Sequence, residues 1–206
     1  PVWAVENPLV GRIEARVDRL ARKIDAGAEA ILLQPPLLWE RFETWWQQVA
    51  ARQLNDTPLI VGVPIIGSAA MLRFWFFLVG RSPSTTEARA LIGEFRDAER
   101  DLDEETFTGF RRAWAADLIR RVRELPGVGG IHLMPISGTA DVLAVLSAAG
   151  LAPSERARTD VDVLQADLLT QGVSVVHEPG LRDNVHVRSF RTWLRTLERV
   201  VEGTSG

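Results

Sequence analysis

The chain has no cysteine among its 206 residues. Disulfides, thiolate metal sites and a cysteine nucleophile are therefore excluded. It has no long hydrophobic run either: the longest strongly apolar stretch, Phe74 to Val79, is far too short to span a bilayer. Charge of one sign is not in excess, the formal net charge being -3, and no basic stripe with interleaved aromatics is present, so nucleic acid is not an expected partner. The N-terminus lacks a basic region followed by an apolar run, so no secretory leader is expected and the cytosol is the expected compartment. No Gly-x-Gly-x-x-Gly, P-loop, Gly-x-Ser-x-Gly or His-Glu-x-x-His motif occurs. Tyrosine is absent too, whereas tryptophan occurs seven times, twice in succession at Trp45 and Trp46. The chain starts at Pro1, not Met, which reads as a fragment or a processed chain.

What is present is an alternation of two patterns. Short, continuously apolar segments read as strands buried on both faces: Val2 to Glu6, Ala30 to Leu33, Leu59 to Pro64 and Gly130 to Met134. Between them run amphipathic segments with apolar residues three or four apart. The spacing predicts helices over Gly11 to Ala26 (Ile13, Val17, Leu20, Ile24) and Leu38 to Leu54 (Leu38, Phe42, Trp45, Trp46, Val49). Further helices are predicted from Ala69 to Leu78, from Thr85 or Thr86 to Arg100, in a long segment ending near Leu125 (Phe107, Phe110, Trp114, Leu118, Val122), and from Thr139 to Ala149. Gly27 stands where a left-handed helix cap is needed, and Ser68 is an N-cap. In the remainder, a helix over Ala157 to Leu169, a strand over Val173 to Val176 and a last helix bearing Phe190, Trp193, Leu194, Leu197 and Val201 are expected. Such alternation implies right-handed βαβ units and a parallel sheet, either half of a (β/α)8 barrel or an open doubly wound sheet.

Parallel α/β proteins keep their chemistry at the C-terminal ends of the strands. The residues there are Asn7, Gln34, Pro64 with Gly67 and Ser68, and Met134 to Ser137. Gln34 stands out because an amide offers both donor and acceptor and can read the edge of a heterocycle. Lys23 occupies the last turn of its helix, where a cation suits the dipole. His132, inside an apolar strand, reads as a core residue. His177 and His186, near Glu178 and Asp183, match no metal-binding spacing, and no metal is expected. The aromatic run Phe74 to Phe77 reads mostly as core, with Trp75 the ring that could instead stack on a planar ligand above the rim.

The run Arg22-Lys23-Ile24-Asp25-Ala26-Gly27-Ala28, with Ile31 and Gln34 following, resembles the methylenetetrahydrofolate reductase family. Asn7-Pro8, the strand end at Gly62-Val63-Pro64 and Gly127-Val128-Gly129-Gly130-Ile131-His132 extend the resemblance over about Val2 to Leu151. It implies strands five to eight of a TIM-like barrel over residues 1–151. Residues 152–206, outside the resemblance, are expected as a C-terminal extension packed on the same domain. The resemblance further implies reduction of 5,10-methylenetetrahydrofolate with NAD(P)H through FAD. Gln34 and Trp75 would then contact the substrate, and Asn7 and Lys23 the flavin. The sequence departs from the family pattern at Leu33, which replaces a threonine, and at Met134 to Gly138, where an arginine for the folate tail is missing. Arg16 and Arg19 stand at other flavin-contact positions, and the expected general acid lies outside this sequence. A second chain supplying the other half barrel is an expected partner, as is an oligomer. The alternatives are a non-catalytic or regulatory half-barrel subunit, or a barrel enzyme acting on another pterin one-carbon carrier.

Overall fold

The computed structural model describes residues 2–135 and 141–151, together with the backbone of 173–175. The chain divides into two compact units, Pro1–Val175 and Val176–Gly206, and the described residues all belong to the first. The helices expected over 157–169 and around Phe190, and the loop bearing His177 and His186, lie outside the described residues.

The apolar segments form β1 (Trp3–Glu6), β2 (Ala30–Leu33), β3 (Leu59–Ile65), β4 (Val128–Pro135) and β5 (Val173–Val175). They make one sheet in the order β1-β2-β3-β4-β5, and every pairing is parallel. Right-handed crossovers between successive parallel strands place all the connecting helices on the same face. These are α1 (Ile13–Asp25), α2 (Trp39–Ala51), α3 (Ala69–Leu78), α4 (Thr86–Asp101) and α5 (Glu104–Arg123); α6 (Val142–Ala148) follows β4. No helix among the described residues is long and apolar enough to cross a membrane.

The register separates two rows of side chains. Ile31, Leu33, Leu59, Val61, Val63, Ile131 and Leu133 point into the helical layer and are buried. They meet Val17 and Leu20 of α1, the Phe42-Trp45-Trp46-Val49 face of α2, and Leu118, Ile119 and Val122 of α5 in a single core. The opposite row contains Trp3 and Val5, 58% and 53% exposed, followed across the sheet by the half-buried Leu32, Ile60, His132 and Met134. Among the described residues, helices cover one face of the sheet and none covers the other.

The helix ends follow the local chemistry. The side chains of Ser68, Thr85 and Asp103 accept from the backbone N–H three residues on, satisfying donors a helix start leaves free. Gly27 takes φ +92° just past α1. The helix expected over Leu38 to Leu54 ends earlier, at Ala51, because Gln53 adopts a left-handed φ of 56° and a 3-10 turn, Leu54–Asp56, follows. β4 is longer than expected, starting at Val128. Its glycines permit this: a Cβ on Gly129 would lie 2.8 Å from the Leu59 amide nitrogen and from the Pro58 Cα.

Candidate functional site

β2 ends at Leu33, and the Gln34 N–H donates to the Glu6 carbonyl at 2.9 Å. This bond extends the β1–β2 ladder one residue beyond the strand. Alternation along the strand then puts the Gln34 side chain in the Leu32 row, on the face the helices leave uncovered. Gln34 is half-buried, and its carboxamide has no partner among the described residues. Pro35 and Pro36 turn the chain immediately afterwards and are themselves buried.

Continuation of the β2–β3 register sets Gln34 opposite Gly62, which is paired with His132. Two strand spacings, about 10 Å, separate Gln34 from His132 across this row. Gly62 is required between them: a Cβ there would fall 2.8 Å from the Leu33 carbonyl oxygen and 2.9 Å from the Met134 Sδ. The Met134 thioether thus lies over the gap. Burial pushes the His132 imidazole below its ordinary pKa, favouring the neutral ring. A depressed pKa in the folded state means that the unfolded chain binds the extra proton first. Stability from this residue is therefore complete above about pH 6.5 and declines as pH falls through that value. In urea titrations, wild type is expected to lose more stability than His132→Gln between pH 7.5 and 5.5; equal losses would contradict the assignment.

Glu6, on the opposite row, is the only buried charged residue among those described, at 1% exposure. Its carboxylate accepts from the Asn7 N–H at 3.0 Å, lies 3.5 Å from Arg16 and 3.7 Å from Arg19, and receives a direct bond from the Lys23 ammonium. The Lys23 ammonium also donates to the Val5 carbonyl. The Glu6 carbonyl faces β2, so the Val5 carbonyl faces the free edge of the sheet, and Lys23 closes that edge at this point. Lys23 is thus more than a cation at a helix end. Glu6 had no signal of its own, but Arg16, Arg19 and Lys23 stand at i, i+3 and i+7. A basic stripe along the sheet-proximal side of a helix calls for an acid opposite.

Helix α3 follows the end of β3 and finishes near Asn7, just past the end of β1. Its first turn is bonded by Ser68 and by Glu99, whose carboxylate accepts from the Ala69 N–H at 3.1 Å. Beyond its other end, the Val79 carbonyl accepts from the Asn7 side chain at 2.9 Å. Trp75 faces downward: it is 3% exposed and belongs to the main core, with its Nε1 buried and unpaired. It is not placed to stack on a ligand above the rim. Phe74, one residue earlier and about 100° around the helix, is buried outside that core and stacks on Phe77 with centroids 6.5 Å apart.

The positions where the resemblance places flavin contacts are engaged within the fold. The Asn7 side chain donates to the Val79 carbonyl and accepts from the Leu9 N–H at 3.0 Å. Lys23 is held by Glu6 and the Val5 carbonyl. A phosphate approaching Lys23 would meet a carboxylate already in the place an anion would take. Asn7 and Lys23 in this arrangement do not fit a flavin. Nor do the described residues hold any cluster of three or more His, Asp or Glu suited to a metal. Gln34 and Lys23 are not brought together, since they serve opposite faces of the sheet.

Comparison with protein-family models gives a match over residues 5–150, to the family described as methylenetetrahydrofolate reductase. Comparison with curated proteins found no match.

Proposed function

Because this chain belongs to the methylenetetrahydrofolate reductase family, we propose that it serves the reduction of 5,10-methylenetetrahydrofolate with NAD(P)H as electron donor. The membership supports an oxidoreductase of folate one-carbon metabolism. The observation that carries the finer reading is the Gln34 carboxamide. It projects beyond the end of a parallel strand, on the uncovered face, with donor and acceptor both free among the described residues. The pterin edge presents alternating ring nitrogens, an amino group and a carbonyl, which an amide can read with two hydrogen bonds. Reduction of the methylene bridge delivers a hydride to the bridging carbon and a proton to N10, whose bond to that carbon breaks. In this chain Gln34 orients the ring for that transfer. The proton transfer to N10 is assigned to none of the described residues, and no step is assigned to a flavin.

Gln34→Ala is expected to weaken 5,10-methylenetetrahydrofolate binding about tenfold or more, and Gln34→Glu to weaken it further where the carboxylate faces the pterin carbonyl. Fluorescence or calorimetric titration of the purified chain measures this. Unchanged affinity in Gln34→Ala would remove Gln34 from the site.

A second reading rests on the uncovered face. The row from Trp3 and Val5 to Met134 has the character of the inner face of a (β/α) barrel, and further strands continuing the sheet beyond β1 would cover it. A strand added there must displace Lys23 from the Val5 carbonyl. Sedimentation velocity checks this reading: it requires assembly with a second copy or a separate chain, and a strictly monomeric protein that binds no complementary half would count against it.

A further inference from the structure

A second cleft opens in the helical layer, between the start of α2, helix α4 and helix α5, with a volume of about 710 Å³. Gln34 does not line it. Trp39, Leu91 and Trp114 contribute apolar wall, and three arginines line it: Arg121, whose guanidinium lies over the Trp39 ring, and Arg41 and Arg81. Arg41 and Arg81 are held differently. The Arg41 Nε donates to the Leu9 carbonyl at 2.8 Å, and its Nη2 to the Gly11 carbonyl. The Arg81 backbone N–H donates to the Phe76 carbonyl at 2.8 Å, but its guanidinium makes no hydrogen bond or ion pair among the described residues, and its Nε is buried without a partner. Glu40, Glu87, Glu94 and Asp117 also line the cleft, yet none of them pairs with Arg81.

Such an arrangement is unfavourable in the empty protein. A buried guanidinium N–H that has left water finds no acceptor, and the charge beside it has the same sign. Burial, together with the charges of Arg81 and Arg16, lowers the pKa of Arg41 below the ordinary arginine value. An oxyanion would relieve both faults at once, because the planar guanidinium fork matches a carboxylate or phosphate edge with two parallel bonds. The same cleft carries the apolar side chains of Trp39, Leu91 and Trp114, so the anion belongs to a larger molecule.

We propose that Arg81, with Arg41 beside it, forms an oxyanion site for a small molecule that carries a phosphate or carboxylate on an apolar or aromatic body, the body packing against Trp39, Leu91 and Trp114. This site is separate from the Gln34 rim and independent of the reading given to it.

Isothermal titration calorimetry of the full chain with phenyl phosphate, benzoate and inorganic phosphate tests the proposal. At least one aromatic anion is expected to bind, more tightly than inorganic phosphate, and the tighter of the two identifies the anion. Arg81→Gln should weaken that binding tenfold or more. Arg81→Lys, which keeps the charge but loses the fork, should fall between. Gln34→Ala should leave it unchanged. Because Arg81→Gln removes a like-charge contact, its melting temperature without ligand should equal or exceed that of wild type, which separates loss of binding from loss of fold. Absence of binding to wild type, equal affinity in wild type and Arg81→Gln, or an equal loss in Gln34→Ala would each overturn it.

Discussion

Glu6→Gln is expected to destabilise the chain by about 3 kcal/mol. The Glu6 side chain is fully buried, and Arg16, Arg19 and Lys23 converge on it. Removing one member of a buried ion pair leaves its partners desolvated without compensation, which costs about 3–5 kcal/mol. The lower end applies because the Arg19 side chain is 56% exposed and can return to water. Glutamine keeps the shape and one acceptor oxygen, so the effect reports charge and not a cavity. Urea denaturation at neutral pH measures it. Glu14→Gln is the control: the Arg12–Glu14 pair is 3.7 Å apart with both side chains largely exposed, and such pairs contribute at most about 1 kcal/mol. A loss below 1 kcal/mol in Glu6→Gln would show that the cluster does not act as a buried ion network. The same variant frees Lys23, so any anion affinity it gains, absent in wild type, reports that Glu6 had been filling the place of an anion.

Truncation of Phe42 should be costlier still, about 4 kcal/mol for Phe42→Ala. The ring is 0% exposed. It contacts Trp39, Trp45 and Trp46 with centroids 5.7, 5.9 and 5.8 Å away. Loss of the ring removes transferred apolar surface and leaves a cavity. Large rings with few alternative rotamers fill such a space poorly. Trp39→Ala should cost clearly less, since Trp39 is half-buried and its ring is capped by the Arg121 guanidinium 4.1 Å from the centroid. Equal losses for the two variants, or less than 2 kcal/mol for Phe42→Ala, would mean that the aromatic cluster is not the centre of the α2 contact.

Much of the architecture was legible because helix and strand periodicity are local. Phe42, Trp45, Trp46 and Val49 lie three or four residues apart, so their common face follows from helical geometry alone, and all four are buried as that face requires. Ser68 and Gly27 act where their local chemistry places them. Trp75 shows the limit of the same reasoning. A run of four aromatics leaves every angle around α3 occupied by a ring. Which ring points down into the core and which toward the rim depends on how the helix is rolled against the sheet. Packing rolled it so that Trp75 went inside.

The polar sites divide in the same way. The position of Gln34 at the tip of a parallel strand follows from the apolar run before it and the two prolines after it, and the family follows from the residues around it. The sequence by itself therefore determined the parallel α/β class, the crossover helices and the Gln34 amide at the rim, since each rests on patterns within a few residues of chain. Only the tertiary structure decided what Lys23 and Asn7 do, which face of the sheet the described helices cover, and that Arg41 and Arg81 share a cleft. Those outcomes depend on contacts such as Glu6 with Lys23 and Asn7 with Val79, between residues 17 and 72 positions apart. No local periodicity encodes such pairings; they are set by which partners burial brings together and by the cost of leaving any of them without a counter-charge or a hydrogen bond.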